Sequence, residues 1–338
     1  MINKYFSKIK NIEFDLSSTC NAYCASCSRY VIEDNALKLN PHITFNKNVS
    51  LNTINKIFSS NMVDEDVSVP MVGSIGDPIA NPQIVEIIKS IFKLKPNAGI
   101  VMHTNGGLRT PEIFKQLAEI ESTAGKKLMI YFSIDGLEDT NHIYRNSVNW
   151  NTLQKNVEAY LQAGGRARWK FVQFEWNKHQ VEQARLLSDQ MGFESFILEL
   201  DRSSKEEREH YNIAVKDIRK KETARLDNNP GFRLDAHGKQ SWNNPSQQEC
   251  YDVQGIYINA MEQVLPCCKW NTAQFNNNFK DEILEWLYQD NNNWNNIGSQ
   301  SFESIMQNPL WEKLGDSFYN TVDSCTVCLL GCSKMKNG

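Results

Sequence analysis

Apolar residues recur with two alternating periods along the first two hundred positions. Over 11–17 they alternate, with Ile12, Phe14 and Leu16 on one face, which predicts a strand leading directly into a cysteine loop. Short runs rich in β-branched and aromatic residues at 68–72, 99–103, 128–134, 168–174 and 196–200 predict five more strands. Between them the period lengthens to that of a helix, and each helical stretch has a start signal. Ser50 caps the stretch carrying Ile54, Ile57 and Phe58. Asn81 with Pro82 places a cap and a first-turn proline ahead of Ile84, Ile87, Ile88 and Ile91, and Thr110 with Pro111 repeats the device before Ile113, Phe114 and Leu117. Two further helices are predicted over 152–163, closed by Gly164 and Gly165, and over 178–191, closed by Gly192.

Six strand-helix alternations are the pattern of right-handed βαβ units, so the fold class is α/β with a parallel sheet. Periodicity accommodates both an open doubly wound sheet and a partial barrel, and in either the chemistry falls at the C-terminal ends of the strands. The first cysteine loop lies at such an end. Beyond Leu200 the pattern changes. Residues 201–249 are densely charged and poor in aromatics, and Ser204 with Glu207 forms a capping box, so a solvated helix and linker are predicted. In the last segment, 255–258 and 264–266 flank a turn at Asn259 and predict a hairpin, while the asparagine tracts at 276–278 and 291–296 read as loops. The expected organisation is a core at 1–200, a charged helical linker at 201–249 and a small domain at 250–338.

Composition narrows the function. With 338 residues, 41% hydrophobic, 10% aromatic and a net charge of -4, the chain reads as an ordinary globular protein without the basic excess of a nucleic-acid binder. No segment is apolar enough to span a membrane, and the charges within the first ten residues break any signal-peptide core, so a cytoplasmic location is expected. The outlier is nine cysteines, an odd number that argues for metal binding or catalysis over a disulfide framework. Cys20, Cys24 and Cys27 sit near the N-terminus, and none follows until Cys250, the first of six between there and Cys332. Two separate cysteine sites are implied.

Cys20-x3-Cys24-x2-Cys27 brings three thiolates into one short loop, enough for three corners of a cubane cluster. Iron-sulfur clusters normally take four cysteines, so a missing fourth leaves one iron open and reactive. A zinc site completed by His42 or His103 is the alternative. Three more strand ends carry turn-like motifs: Gly73-Ser74-Ile75-Gly76-Asp77-Pro78, Thr104-Asn105-Gly106-Gly107, and Ser133-Ile134-Asp135-Gly136 followed by Tyr144-Arg145. Glycines there allow a backbone to approach a ligand closely, and each motif alone also reads as a tight βα turn.

This cysteine spacing after a first strand, with those motifs in order at successive strand ends, resembles the radical S-adenosylmethionine (SAM) superfamily. The resemblance implies a partial (β/α)6 TIM-like barrel and a [4Fe-4S] cluster on Cys20, Cys24 and Cys27. The open iron of that cluster binds SAM, and an electron breaks the sulfonium bond to give a 5'-deoxyadenosyl radical that abstracts hydrogen from substrate. It implies SAM contacts at Gly73, Gly76 and Asp77, matching the family's usual Gly-Gly-Glu-Pro run, and at Asn105, Ser133 and Arg145, guanidinium being a good partner for carboxylate. Two departures stand out: Ile75 and Asp77 replace a glycine and a glutamate, and Ser26 replaces the aromatic that often precedes the third cysteine, leaving adenine packing unassigned.

The C-terminal cysteines resemble the appended twitch and SPASM cluster domains. Cys250, Cys267, Cys325 and Cys328 supply four ligands for a second, auxiliary [4Fe-4S] cluster in the shorter twitch arrangement, Cys267 being preferred because it follows Pro266. Cys268 and Cys332 are alternative ligands, and zinc is again the alternative metal. The resemblance further implies an external electron donor such as flavodoxin or ferredoxin, and an auxiliary cluster that accepts the electron of an oxidised substrate radical or binds substrate. Dehydrogenation or rearrangement of a small polar metabolite and modification of a ribosomally made peptide both fit. A first strand beginning near Asn11 leaves no room for a leader-binding domain, which favours the small molecule or a peptide delivered by a partner. An iron-sulfur carrier or a zinc-stabilised binding module is the reading from another class. Of the remaining signals, Trp169, Phe171 and Trp176 read as core. His103, Gln173, Glu175, Glu199 and Asp201 lie near strand ends where a substrate is expected.

Overall fold

A computed structural model describes residues 7–33, 36–125, 127–201, 254–273 and 293–313. Cys250, Cys325, Cys328, Cys332 and the capping box at Ser204 and Glu207 lie outside the described residues. Ten strands are present among them: β1 (Ile9–Phe14), β2 (Tyr30–Glu33), β3 (Ala36–Leu39), β4 (Val63–Met71), β5 (Gly99–Thr104), β6 (Leu128–Ser133), β7 (Ala167–Gln173), β8 (Ser195–Leu200), β9 (Gly255–Ile258) and β10 (Val264–Leu265). The helices are α1 (Leu51–Phe58), α2 (Ile84–Leu94), α3 (Pro111–Thr123), α4 (Asn141–Tyr144), α5 (Trp150–Gln162), α6 (Val181–Met191), α7 (Cys268–Ala273) and α8 (Phe302–Met306). None of the described helices is long and apolar enough to cross a membrane.

All but β2 and β3 run in one mostly parallel sheet, in the order β10-β9-β1-β4-β5-β6-β7-β8. The six strands read from the periodicity occupy it in chain order, without the reversal that defines a doubly wound sheet. That progression is the strand order of a barrel, here left open with β8 and β10 at its edges. The chain packs as two compact units, one drawn from Met1–Thr19, His42–Val101 and Ser241–Gly338, the other from Cys20–Pro41 and Met102–Gln240.

In the first unit, β1 lies parallel to both β4 and β9, and β9 turns at Asn259 into antiparallel β10. The predicted hairpin is present, and α7 follows it. Ile12 and Phe14 of β1 are fully buried together with Ile54, Ile57 and Phe58 of α1 and Ile84, Ile87, Ile88 and Ile91 of α2. Each such side chain contributes about 1.5–3 kcal/mol through burial. Strand β4 begins earlier than its alternation suggests, because Asp64 to Asp66 carry charge across a register shift against β1 while Val63, Val67, Val69 and Met71 stay buried. Helix α2 begins at Ile84, two residues later than the Asn81-Pro82 signal predicts. Asn81 still faces the helix start, since its Oδ1 accepts the Gln83 amide at 2.9 Å, while its Nδ2 donates to the carbonyls of Leu16 and Val49 at 2.9 Å each.

In the second unit, β6, β7 and β8 are parallel neighbours. Their outer face buries Phe132, Trp169 and Phe171, as do the inward sides of α3 and α5 through Phe114, Leu117, Leu153 and Tyr160. Helix α3 starts at Pro111 as predicted, and α5 starts at Trp150 because Asn149 accepts from the Thr152 amide at 2.9 Å. A short 3-10 turn at Lys178–Gln180 precedes α6, which Gly192 ends with a φ of 88°. The antiparallel pair β2–β3 follows the cysteine loop and has no counterpart in the sequence reading.

Candidate active site

The three N-terminal cysteines lie on one loop in the second unit. The Cys27 amide donates to the Cys24 carbonyl at 3.1 Å and the Tyr30 amide to the Cys27 carbonyl at 3.0 Å, which coils the loop. The Tyr30 hydroxyl donates to the Ala22 carbonyl at 3.1 Å, and the Tyr23 ring stacks on Tyr30 at 5.2 Å. Ala25 packs into an apolar cluster with Ile143, Phe174 and Trp176, so the loop rests on a rigid floor. Ser26, at the position where an aromatic was looked for, hydrogen-bonds the Tyr144 hydroxyl at 3.1 Å. None of Cys20, Cys24, Cys27, Cys267 and Cys268 is in a disulfide.

Burial pushes the Cys24 thiol up to about 11 against the pull of Arg145, and burial also raises Cys27. Such thiols ionise at neutral pH when a metal displaces the proton. Among the described residues no three His, Cys, Asp or Glu side chains converge on a single ion. A cubane asks for a different arrangement, one thiolate on each of three irons, and three thiols in one coiled loop fit that demand.

Side chains from other strand ends surround the sulfurs. The Asn105 amide nitrogen donates to Cys20 Sγ at 3.4 Å and to Asn21 Oδ1 at 2.9 Å, and Asn105 Oδ1 takes the Gly107 amide at 2.7 Å. Arg145, just after α4, reaches Cys24 Sγ with Nη1 at 3.8 Å and pairs through Nε with Asp135 Oδ2 at 2.6 Å. Asp135 is fully buried, and its other oxygen accepts the Val172 amide at 2.7 Å. Burial opposes the charge on Arg145, but Asp135 together with Cys24 and Tyr144 outweighs it and holds the guanidinium above its ordinary range. The sequence reading named Arg145 and missed Asp135, whose role depends on a strand-to-helix contact ten residues apart. Ser133 closes β6, half-buried.

The predicted loop at 73–78 belongs to the first unit. Gly73 has a φ of 71°, and a Cβ there would meet the Gly76 carbonyl at 2.2 Å; a Cβ on Gly76 would meet the Ser17 carbonyl at 2.0 Å. The Asp77 amide donates to the Thr19 carbonyl at 2.8 Å, so the loop is pressed onto the three residues that lead into Cys20. The Asp77 carboxylate accepts the Ile79 amide at 3.1 Å. Ile75, the departure from a double glycine, is fully buried beside Ile43 and Phe45, which accounts for a large apolar side chain in this turn.

One polar cluster in this unit was not anticipated. Asp15, fully buried at the end of β1, accepts from the Ser74 amide, from the Tyr257 hydroxyl of β9 and from the Asn271 amide of α7 at 3.3 Å. Burial raises its carboxyl to about 7, against the lowering effect of Tyr257. Nearby, Glu13 hydrogen-bonds the Cys268 thiol, and burial pushes that thiol up to about 12 with the Glu13 charge adding to the effect. The signal for this cluster was faint in the sequence: Glu13 and Asp15 sit on the polar side of β1's alternation, which reads as solvent.

No protein-family model and no curated protein sequence matches the chain. Among solved structures, SuiB of Streptococcus suis bound to S-adenosylmethionine is similar at a TM-score of 0.54 and 16% identity, over 96% of this chain and 75% of that one. SuiB bound to precursor peptide SuiA gives 0.55 and 16% over 96% and 73%. Native anSMEcpe with bound AdoMet gives 0.54 and 14% over 92% and 84%. The architecture is thus an α/β fold shared with proteins that bind SAM. More narrowly, the chain shares the fold of SuiB and anSMEcpe.

Proposed function

We propose that the chain is a radical SAM enzyme. The observation that carries this reading is the thiol triplet at the end of β1, with a buried arginine-aspartate pair and an amide donor aimed at its sulfurs, in a fold shared with SAM-binding proteins. Cys20, Cys24 and Cys27 hold three irons of a [4Fe-4S] cluster. When bound, that cluster supplies the electron that breaks the sulfonium bond of SAM and releases a 5'-deoxyadenosyl radical. Arg145 and Asn105 balance negative charge on Cys24 and Cys20, and Asp135 keeps the guanidinium in place. The loop at 73–78 offers backbone carbonyls to the SAM amino group, and Ser133 lies at a strand end where relatives contact the cofactor.

Cys250, Cys267, Cys325 and Cys328 hold an auxiliary cluster in this reading. Cys267 is favoured over Cys268 because the Cys268 thiol faces the Glu13 carboxylate, a poor neighbour for a thiolate ligand. The enzyme draws its electron from an external flavodoxin or ferredoxin in the cytoplasm. Its substrate is a small polar metabolite. A peptide is the second reading, supported by the SuiA peptide bound in SuiB.

The test is anaerobic reconstitution with iron and sulfide, then dithionite and SAM. 5'-Deoxyadenosine is expected from the native chain and not from a variant with Cys20, Cys24 and Cys27 all changed to Ala. If the native chain makes none, with or without candidate substrates, the reading fails: an iron-sulfur carrier would bind iron without cleaving SAM, and a zinc module would take up zinc alone.

A further inference from the structure

We propose that the polar face of β5 to β8 in the second unit binds an anionic group of the substrate, a carboxylate or a phosphate, on the unpaired Nε edge of the Arg168 guanidinium. The term substrate rests on the radical SAM reading; the anion site itself does not.

Along these strands every second residue turns away from the apolar core, leaving His103, Tyr131, Ser133, Arg168, Lys170 and Glu199 half-buried on one face. Tyr131 and Arg168 are direct partners in the β6–β7 register. Arg168 donates from Nη1 to the Tyr131 hydroxyl at 2.7 Å, and its guanidinium carbon lies 5.5 Å from the centre of that ring. The His103 imidazole stacks on the same ring at 4.7 Å, 9° from parallel. Tyr131 therefore holds the guanidinium from the neighbouring strand, and His103 braces Tyr131 from the next.

Only one edge of it is used. Arg168 Nε is buried and has no hydrogen-bond partner, and among the described residues no carboxylate pairs with the guanidinium. The cations nearby are differently placed: Lys170 pairs with Glu199 at 3.1 Å and Arg145 with Asp135 at 2.6 Å. Arg168 is thus the surplus positive charge on this face. A buried donor left unpaired is costly, and a desolvated cation more so. The Nε and Nη2 donors form the side of the fork that receives two oxygens of one carboxylate or phosphate in parallel. Burial, with the Lys170 charge adding to it, holds the neighbouring His103 down at about 4, so its imidazole is uncharged at neutral pH and adds no second positive charge beside Arg168.

The full reconstituted chain is labelled with nitrogen-15, and the Arg168 Nε–Hε resonance is identified by its loss in Arg168→Lys. Should that variant not fold, Tyr131→Phe identifies the same resonance by displacing it. Acetate and inorganic phosphate are titrated separately, with chloride at matched ionic strength as control. The expected result is a saturable shift for acetate, phosphate or both, with an affinity at least about tenfold above that for chloride; the more effective anion tells carboxylate from phosphate recognition. A resonance that moves no more with either anion than with chloride overturns the proposal. Because this measurement involves no turnover, 5'-deoxyadenosine formation by the same preparation reports separately on the radical SAM reading.

Discussion

Individual side chains in this protein take their chemical character from neighbours distant in the sequence. Arg145 alone is an exposed-looking residue after a short helix; clamped by fully buried Asp135, it becomes a fixed positive charge beside a cysteine sulfur. His103 shows the opposite effect. Burial and the neighbouring Lys170 charge lower it from an ordinary value near 6.5 to about 4. A histidine depressed in the folded state contributes stability that is present above its unfolded value and is lost as pH falls from 6.5 through about 4. Its imidazole signal in a pH-dependent NMR experiment is expected to stay flat from neutrality down to about pH 5 and to titrate only below. In Lys170→Gln the midpoint is expected to rise, since one of the two main causes of the depression is removed. A midpoint near 6.5 in the native protein would contradict the packing described for β5 to β7.

At the scale of elements, the turn at 73–78 illustrates how a loop is pinned from both sides. Its glycines let it lie against Ser17 to Thr19, while Asp15 takes the Ser74 amide and Ile75 anchors in the core. The same Asp15 is tied to β9 and α7 through Tyr257 and Asn271, so the hairpin and its following helix are joined to the first strand by buried hydrogen bonds as well as by strand pairing. Gly76→Ala would place a methyl group 2.0 Å from a backbone carbonyl that has no flexible end to move. A loss of at least about 1–3 kcal/mol in chemical denaturation is expected, with weaker SAM binding. Gly99→Ala, whose Cβ would meet nothing within 4 Å, is the control and is expected to be near neutral. Equal effects from the two substitutions would show that contact with Ser17 is not what requires glycine at 76.

For the whole molecule, the proposed function assigns one cluster to each of two cysteine groups far apart in the chain, and iron content measures this directly. The variant lacking Cys20, Cys24 and Cys27 is expected to retain about four irons after reconstitution, those of the auxiliary cluster. Retention of none would undo the two-site model. Much of this organisation was legible in the sequence. The six strands, most helix starts and the cysteine spacing are local signals, because strand alternation, helix capping and short-range ligand spacing each depend on residues a few positions apart. The strand order, the parallel pairing of β9 with β1 and the β2–β3 pair were not legible, because sheet neighbours are chosen by contacts between distant segments. The same holds for the two bonds by which Asn81 Nδ2 ties the start of α2 to the carbonyls of Leu16 and Val49. By itself the sequence determined the α/β class, the six strands that run in order through the sheet and most of the helices between them. Only the tertiary structure decided that Asp135 governs Arg145, that Asp15 joins β1 to β9 and α7, and that Arg168 keeps an unpaired Nε. Each of those depends on which charges are withdrawn from water together, and that is settled when the chain packs.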